Sequence, residues 1–238
     1  MMTRRRVAAT LLFSAAAFLM IPVPSFAQSK SADLQSVLHQ MDQASTKFKS
    51  AEADFRWDMY ERVVKETTTQ SGTIYFLKNG SKLEMGAKIN TPAARFIQYK
   101  DGSLQLFEPG SDHLTIMSAG NNKAQYESFL TLGFGGSGSE LAKAWDITDL
   151  GTEPINDGSK MVTTAKLNLV SKDPNVRNMF THITIWVDPA RGISLKQQFF
   201  TPSEDQRTTY FTNIRYNQPV NTKPFAIKTD KKTTIDRR

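Results

Sequence analysis

The side chains able to do chemistry are few. The chain has three histidines, His39, His113 and His182, and no cysteine. A zinc site needs three or four imidazole, thiolate or carboxylate ligands in one place, and these histidines lie far apart without ligand spacing. A Ser/His/Asp triad assembles from distant positions, so spacing alone does not speak against one. Nothing resembles a nucleophile elbow, however. The run Gly133-Phe134-Gly135-Gly136-Ser137-Gly138 invites a phosphate-binding reading. It lacks the following Lys-Ser/Thr, a preceding parallel strand and a βαβ context. A hinge or lid, or else a plain connector, fits it better. The paired carboxylates Glu204-Asp205 sit in a turn signal and read as surface. No catalytic, cofactor or metal site is expected, and the chain is expected not to be an enzyme.

The elements around these residues are mostly strands. Thr181 to Val187 alternates, with Ile183, Ile185 and Val187 on one face and Thr184 and Trp186 on the other. Asp188-Pro189 and Gly192 close it, Ile193 to Phe200 follows, and Thr208 to Tyr216 comes after a polar turn. Earlier, Phe55, Trp57 and Met59 alternate with Asp54, Arg56 and Asp58. Ile74 and Phe76 alternate with Tyr75 and Leu77, so that strand is apolar on both faces. Asn79-Gly80 is a two-residue hairpin signal, and Asp101-Gly102 and Pro109-Gly110 are further turns. Short strands with short turns are the mark of an antiparallel meander, which makes a sandwich, a barrel or a partly open barrel. A curved sheet with an apolar inner face is a container for an apolar ligand.

Helices are sparse. Leu34, Val37, Leu38, Met41, Ala44 and Phe48 recur at helical spacing within residues 31–48, with Ser31 or Asp33 as the cap. One apolar stripe implies a helix lying on the sheet. Two short helices are expected between Asn121 and Trp145, with the flexible glycine run between them and Glu140 three residues after Ser137 in capping-box fashion.

The head of the chain reads as an export signal. Arg4, Arg5 and Arg6 precede an apolar run from Val7 to Ile21, and Ser25-Phe26-Ala27 ends it with small residues. Residues 1–27 are expected to be a cleaved secretory signal peptide, the run being shorter than the roughly 20 residues a membrane span needs. Residues 28–238, roughly 210 of them, are the size of one all-β domain. Losing the three arginines takes the formal net charge from +7 to +4. That mild, scattered charge does not describe a nucleic-acid-binding stripe. An exported chain without cysteine fits a bacterial periplasm.

The segment Phe180-Thr-His-Ile-Thr-Ile-Trp-Val-Asp188, leading to Gly192 and Phe199, resembles the periplasmic outer-membrane lipoprotein carrier (LolA-like) family. So do Glu204-Asp-Gln-Arg-Thr-Thr-Tyr210, Asp101-Gly-Ser-Leu-Gln-Leu-Phe107-Glu-Pro109 and the strand Gly72 to Lys78. Phe225 and Ile227 are similar to its closing strand. The resemblance covers nearly the whole mature chain, and the order and spacing of its motifs carry it. It implies mainly β structure with helices: an unclosed antiparallel β-barrel with short helices forming a lid over an apolar cavity. It further implies a carrier that shields the acyl chains of lipoproteins and moves them from the inner to the outer membrane. Its expected partners are acylated lipoproteins, an inner-membrane lipoprotein-releasing ABC transporter and an outer-membrane acceptor, and it is expected to be a monomer.

On that footing the expected cavity residues are Phe55, Trp57, Met59, Ile74, Phe76, Leu83, Met85, Ile183 and Ile185, with Phe129, Leu132 and Phe134 from the lid. Ordinary core packing is the competing account of each one. The family has Arg-Pro after the strand matching Ile74 to Leu77, and that Arg helps control the lid. This chain has Lys78-Asn79, and Lys lacks the planar fork of Arg. The gate is therefore expected at Lys78 or in the loop at Gly135 and Gly136. A second reading keeps the fold and changes the cargo to another lipid, a glycolipid, a hopanoid or a polyketide-like lipid. A third is a module that senses mislocalised lipoproteins.

Overall fold

The computed structural model describes residues 33–80, 82–118, 120, 129 and 132–238. The expected signal peptide lies outside them, as does all of the first expected lid helix except Phe129. Helix α1 spans Leu34–Lys47, and the Asp33 carboxylate caps it by accepting from the Gln35 N–H at 3.3 Å. Val37, Leu38, Met41 and Ala44 form its buried stripe.

The strands are β1 (Ser50–Glu61), β2 (Glu66–Asn79), β3 (Lys82–Thr91), β4 (Arg95–Lys100), β5 (Ser103–Glu108), β6 (His113–Ser118), β7 (Trp145–Asn156), β8 (Met161–Ser171), β9 (His182–Asp188), β10 (Ile193–Phe200), β11 (Gln206–Tyr216) and β12 (Thr234–Arg237). They make one sheet in the order β12-β6-β5-β4-β3-β2-β1-β11-β10-β9-β8-β7. Two antiparallel meanders meet where β1 pairs with β11. The end strands β7 and β12 do not pair, so this is the expected unclosed barrel. The β4–β5 turn follows its chemistry: Asp101 and Gly102 have φ of 49° and 79°, the left-handed pair that a two-residue hairpin needs.

Register fixes what faces inward. Met59, Arg207, Phe199 and Ile183 form one cross-strand row over β1, β11, β10 and β9. Trp57, Thr209, Gln197 and Ile185 form the next. Two apolar clusters sit on this concave face. Helix α1 lays Val37, Leu38 and Met41 over Leu167, Ile183, Ile185 and Val187. The other cluster gathers Phe55, Ile74, Phe76, Met85 and Phe211 around Phe134.

One expectation changes, and two features go beyond the sequence reading. The closing strand is not at Phe225 and Ile227: Pro224 cannot donate to a ladder, and Lys223–Phe225 is a 3-10 turn. Phe225 instead packs edge-on against Tyr75 on the outer face of β2, with ring centroids 4.8 Å apart. The chain then runs on to β12, which pairs parallel with β6 and is tied there by His113 Nε2 and Asp236 Oδ2 at 2.9 Å. Strand β9 is buried on both faces, Thr184 and Trp186 on one and Ile183, Ile185 and Val187 on the other. Finally, a helix that the periodicity did not mark, α3 (Pro174–Met179), is capped by Asp173 and bridges β8 and β9; α2 is Gly138–Ala144, capped by Ser137.

The tip of the β7–β8 hairpin is locked to its neighbours by one buried carboxylate. Asp157 accepts from the N–H groups of Ser159 and Lys160 (both 3.0 Å), from Ser159 Oγ (2.8 Å) and from Arg191 (3.0 Å), while Arg191 also donates to Asp188 at 2.6 Å. Burial works against the charged form, but these donors outweigh it and bring the carboxyl down to about 2. A depressed carboxylate stabilises the fold above its unfolded value of 3.8 and loses that contribution as pH falls towards 2. Urea unfolding of Asp157→Asn is expected to show a loss on the order of 2 kcal/mol at pH 7. The gap to wild type is expected to narrow as pH falls below 4.

Candidate functional site

The concave face is only half filled. Beside the α1 cluster lies an apolar cavity of about 600 Å³. Strands β1 and β2 contribute Trp57, Ile74 and Phe76 to its wall; β3 to β5 add Met85, Ile97 and Leu104. Phe199 and Phe211 close it from β10 and β11, and Met179 and Phe180 from the end of α3.

Phe134 is the partition between the filled and empty halves. Its ring stacks on Phe76 at 4.2 Å and meets Phe211 edge-on at 5.0 Å, and it is 1% exposed. Its backbone is held as firmly. Phe134 bridges to Ile193, the Ser194 N–H donates to the Gly133 carbonyl at 2.7 Å, and the Gly135 N–H donates to Gly192 at 3.2 Å. Aromatic contacts continue along the roof. Phe129 meets Trp145 and Phe180 edge-on, and Phe180 meets Phe199 at 5.2 Å.

A smaller groove of about 310 Å³ opens outward from the same wall. It shares Phe180, Phe199 and Arg207 with the cavity and adds Met59, Glu61, Val63, Thr201, Asp205 and Gln206. Its rim is unusually apolar for a water-facing turn: Val63 is 87% exposed and Val64 56%. Among the described residues no group of carboxylates and imidazoles is arranged to hold a metal ion, and no helix is long and apolar enough to cross a membrane. The three histidines sit apart. His39 bonds Gln43, His113 bonds Asp236, and His182 stacks on Phe200, where burial lowers its pKa.

Of the residues expected at a cavity, Trp57, Ile74, Phe76, Met85, Phe129 and Phe134 come together on its wall. The rest do not reach it. Ile183 and Ile185 face inward but lie under α1, and Leu132 joins the same cluster. Phe55 is packed behind Trp57, with ring centroids 4.7 Å apart. Leu83 is buried on β3 away from the cavity, and Met59 lines the outer groove. Strand alternation shows which face is concave; it carries no signal of which part a helix covers. Phe180, Phe199, Phe211, Gln197, Thr209 and Arg207 were missed. Carrying the Trp57 row across the sheet finds Thr209 and Gln197, and the Met59 row finds Arg207 and Phe199, but this needs the β1–β11 pairing.

The expected gate residues lie at two places against α1 and its end. Gly135 is closely packed: with φ at 76°, a Cβ there would lie 2.3 Å from the Phe48 ring. The glycines allow close backbone approach. Gly136 leads into the Ser137 cap of α2. Lys78 does touch a helix, its ammonium donating to the Ser45 carbonyl in the last turn of α1 at 3.2 Å. That carbonyl has no helical partner, because the Lys49 N–H is taken by Asn217.

No protein-family model and no curated protein matches the sequence. Solved structures share the fold. MucB of Pseudomonas aeruginosa, in its complex with MucA, matches with a TM-score of 0.50 and 14% identity over 83% of this chain and 62% of that one. The chain thus spans about three-fifths of MucB. A conserved protein of Thermus thermophilus matches with a TM-score of 0.52 and 11% identity, covering 87% of this chain and 100% of that one. The LolA superfamily protein NE2245 of Nitrosomonas europaea gives 0.39 and 13%, covering 83% and 99%.

The Phe48–Gly135 contact gives a direct check on the anchored loop. Gly135→Ala is expected to destabilise the protein by about 2 kcal/mol, through a left-handed backbone and a steric clash. Thermal unfolding in the absence of any lipid measures it; a loop that moved freely would show no loss.

Proposed function

We propose that this protein is a periplasmic carrier that takes the acyl chains of a membrane-derived amphiphile into the cavity beneath Phe134 and shields them from water. The observation that carries this reading is the empty half of the concave face: an aromatic-walled space of about 600 Å³ with an apolar-rimmed groove beside it. Burying one chain of about fifteen methylenes gives on the order of 12 kcal/mol of gross transfer free energy. Such a cargo does not leave into water unaided, so delivery requires a receiving membrane or protein at the groove. Val63 on the groove's lining, with exposed Val64 next to it in the chain, suits that contact.

The first cargo is the one the sequence resemblance implies: lipoproteins released by an inner-membrane ABC transporter and passed to an outer-membrane acceptor. A second reading, an isolated lipid or glycolipid, is favoured by volume. At roughly 30 Å³ per methylene-sized group, the share of one liquid water molecule, the cavity holds about twenty such groups. That is one long chain, and three would require α1, α2 or α3 to move away from the sheet. Among the described residues no side-chain cluster points to catalysis on the cargo, and the proposal includes no enzymatic step.

Mass spectrometry of the intact protein, purified without detergent from its native compartment, separates these cargoes. A co-purifying triacylated polypeptide supports lipoprotein carriage. A small lipid supports the second reading. As the wider test, Met85→Trp is expected to fill the cavity and abolish binding of a fluorescent acyl probe while the far-ultraviolet spectrum stays unchanged. Undiminished binding in that variant counts against the cavity as the site.

A further inference from the structure

One side chain on the cavity wall does not belong to an apolar container. Arg207 sits on the inner face of β11, in the row that joins Met59 to Phe199. Its guanidinium carbon lies 4.5 Å from the Phe199 ring centroid and 5.6 Å from that of Trp57. Its Nε is shut off from solvent and has no hydrogen-bond partner. Arg56, Arg62, Arg95, Arg177, Arg191 and Arg215 each hold a carboxylate or carbonyl acceptor. Among the described residues none accepts from Arg207. Glu61 and Asp205 line the adjoining groove, but neither forms an ion pair with it, and Asp205 already accepts from the Arg62 N–H and from Ser203.

An unmade bond from a buried cation costs stability, and a fold keeps such a group where something outside the fold completes it. Two aromatic rings flank the half-buried guanidinium, and among the described residues its N–H donors have no protein acceptor, the arrangement that suits planar recognition of an oxyanion. The surroundings are built the same way. Thr209 and Gln197, paired across β11 and β10, line the cavity, and so does Asn175 from α3. Among the described residues none of these three side chains has a hydrogen-bond partner through its Oγ or amide. They make a polar stripe on an otherwise apolar wall, with Arg207 at its outer end, where cavity and groove share their lining.

We propose that Arg207 receives the oxyanion of a single-chain amphiphile, a carboxylate or a phosphate, whose acyl tail fills the cavity and whose head lies at the junction with the groove. The proposal rests on the reading of the cavity as an acyl-chain site and adds the chemical class of the head. The triacylated end of a lipoprotein carries no anion at its acylated residue, so the preferred cargo is an anionic lipid. Burial lowers the pKa of Arg207 from its usual value, but a guanidinium keeps its proton in proteins, so the site is cationic.

The test uses delipidated protein at pH 8 and competition against a neutral fluorescent acyl probe, with palmitate, hexadecyl phosphate and hexadecanol as competitors. The tails are alike and only the heads differ. Wild type is expected to bind at least one of the two anions tenfold or more tightly than hexadecanol. Whichever anion wins identifies carboxylate or phosphate as the source of the charge. In Arg207→Gln that preference is expected to vanish while hexadecanol still binds, and Arg207→Lys is expected to keep part of it. Equal binding of all three by wild type overturns the proposal and leaves acyl-chain binding standing. Loss of hexadecanol together with the anions in Arg207→Gln also overturns it. Binding of none of the three by wild type removes the acyl-chain reading itself. Thermal unfolding of empty Arg207→Met gives an independent readout: a higher Tm than wild type is expected for a cation awaiting its ligand, and a lower one assigns Arg207 to packing alone.

Discussion

A twelve-stranded sheet curled this far encloses more volume than its own inward side chains fill, and every other feature of the molecule answers to that surplus. Closing the barrel would remove the edges and fix the interior. Leaving it unclosed lets a helix enter. Helix α1 takes the half bounded by β8 and β9, where Leu167, Ile183 and Ile185 are fully buried beneath it. The other half keeps its space because Phe134 stands between them, stacked on Phe76 and edge-on to Phe211. The partition holds because backbone bonds from Gly133 and Gly135 fix it to the start of β10. The cavity is therefore a bounded region with a rigid inner wall. Its mobile side is expected where short, lightly packed elements roof it, above all the six residues of α3.

Local chemistry made much of this legible in the sequence. The strands announce themselves through alternation, and Asn79-Gly80, Asp101-Gly102 and Pro109-Gly110 each mark a turn that the structure contains. Helix α1 is found through its stripe and its Asp33 cap. What escaped depends on distant partners. Helix α3 is too short for periodicity to register, although Asp173-Pro174 is a proper start signal. The parallel β12 has no pattern of its own; β6 and the His113–Asp236 pair place it. The glycine run was expected to be flexible because glycine permits movement. Here the same residues serve close approach, and Phe48 occupies the space a Cβ would need.

The site was half legible for a related reason. Alternation on β1, β2 and β3 places Trp57, Ile74, Phe76 and Met85 on the concave face, and all four line the cavity. The same reasoning places Ile183 and Ile185 there, and they do face inward. Only the path of α1 turns them from lining into core. Arg207 shows the opposite failure. It stood within a motif quoted for family resemblance, and nothing local set it apart from the other arginines. Its meaning is an absence, the missing acceptor, and absences of that kind exist only once the neighbours are in place.

A carrier must hold its cargo strongly enough to keep it from water and weakly enough to hand it over, and the polar stripe bears on both. A wall wholly apolar would gain free energy with every methylene and offer no way to sense whether a cargo is correctly seated. A guanidinium at the junction of cavity and groove fixes the depth of insertion, because an anionic head stops where the cation is and the tail extends inward from that point. It also makes the empty state less stable than a fully apolar wall would be. That raises the relative stability of the loaded state without deepening the apolar contact. The single bond from Lys78 to Ser45 works in the same direction on α1: a lone ammonium contact restrains the helix more lightly than a forked guanidinium would. On the proposed reading they place specificity in the wall of the cavity, at Arg207, and leave the helices above it free to respond to whatever membrane or protein receives the cargo.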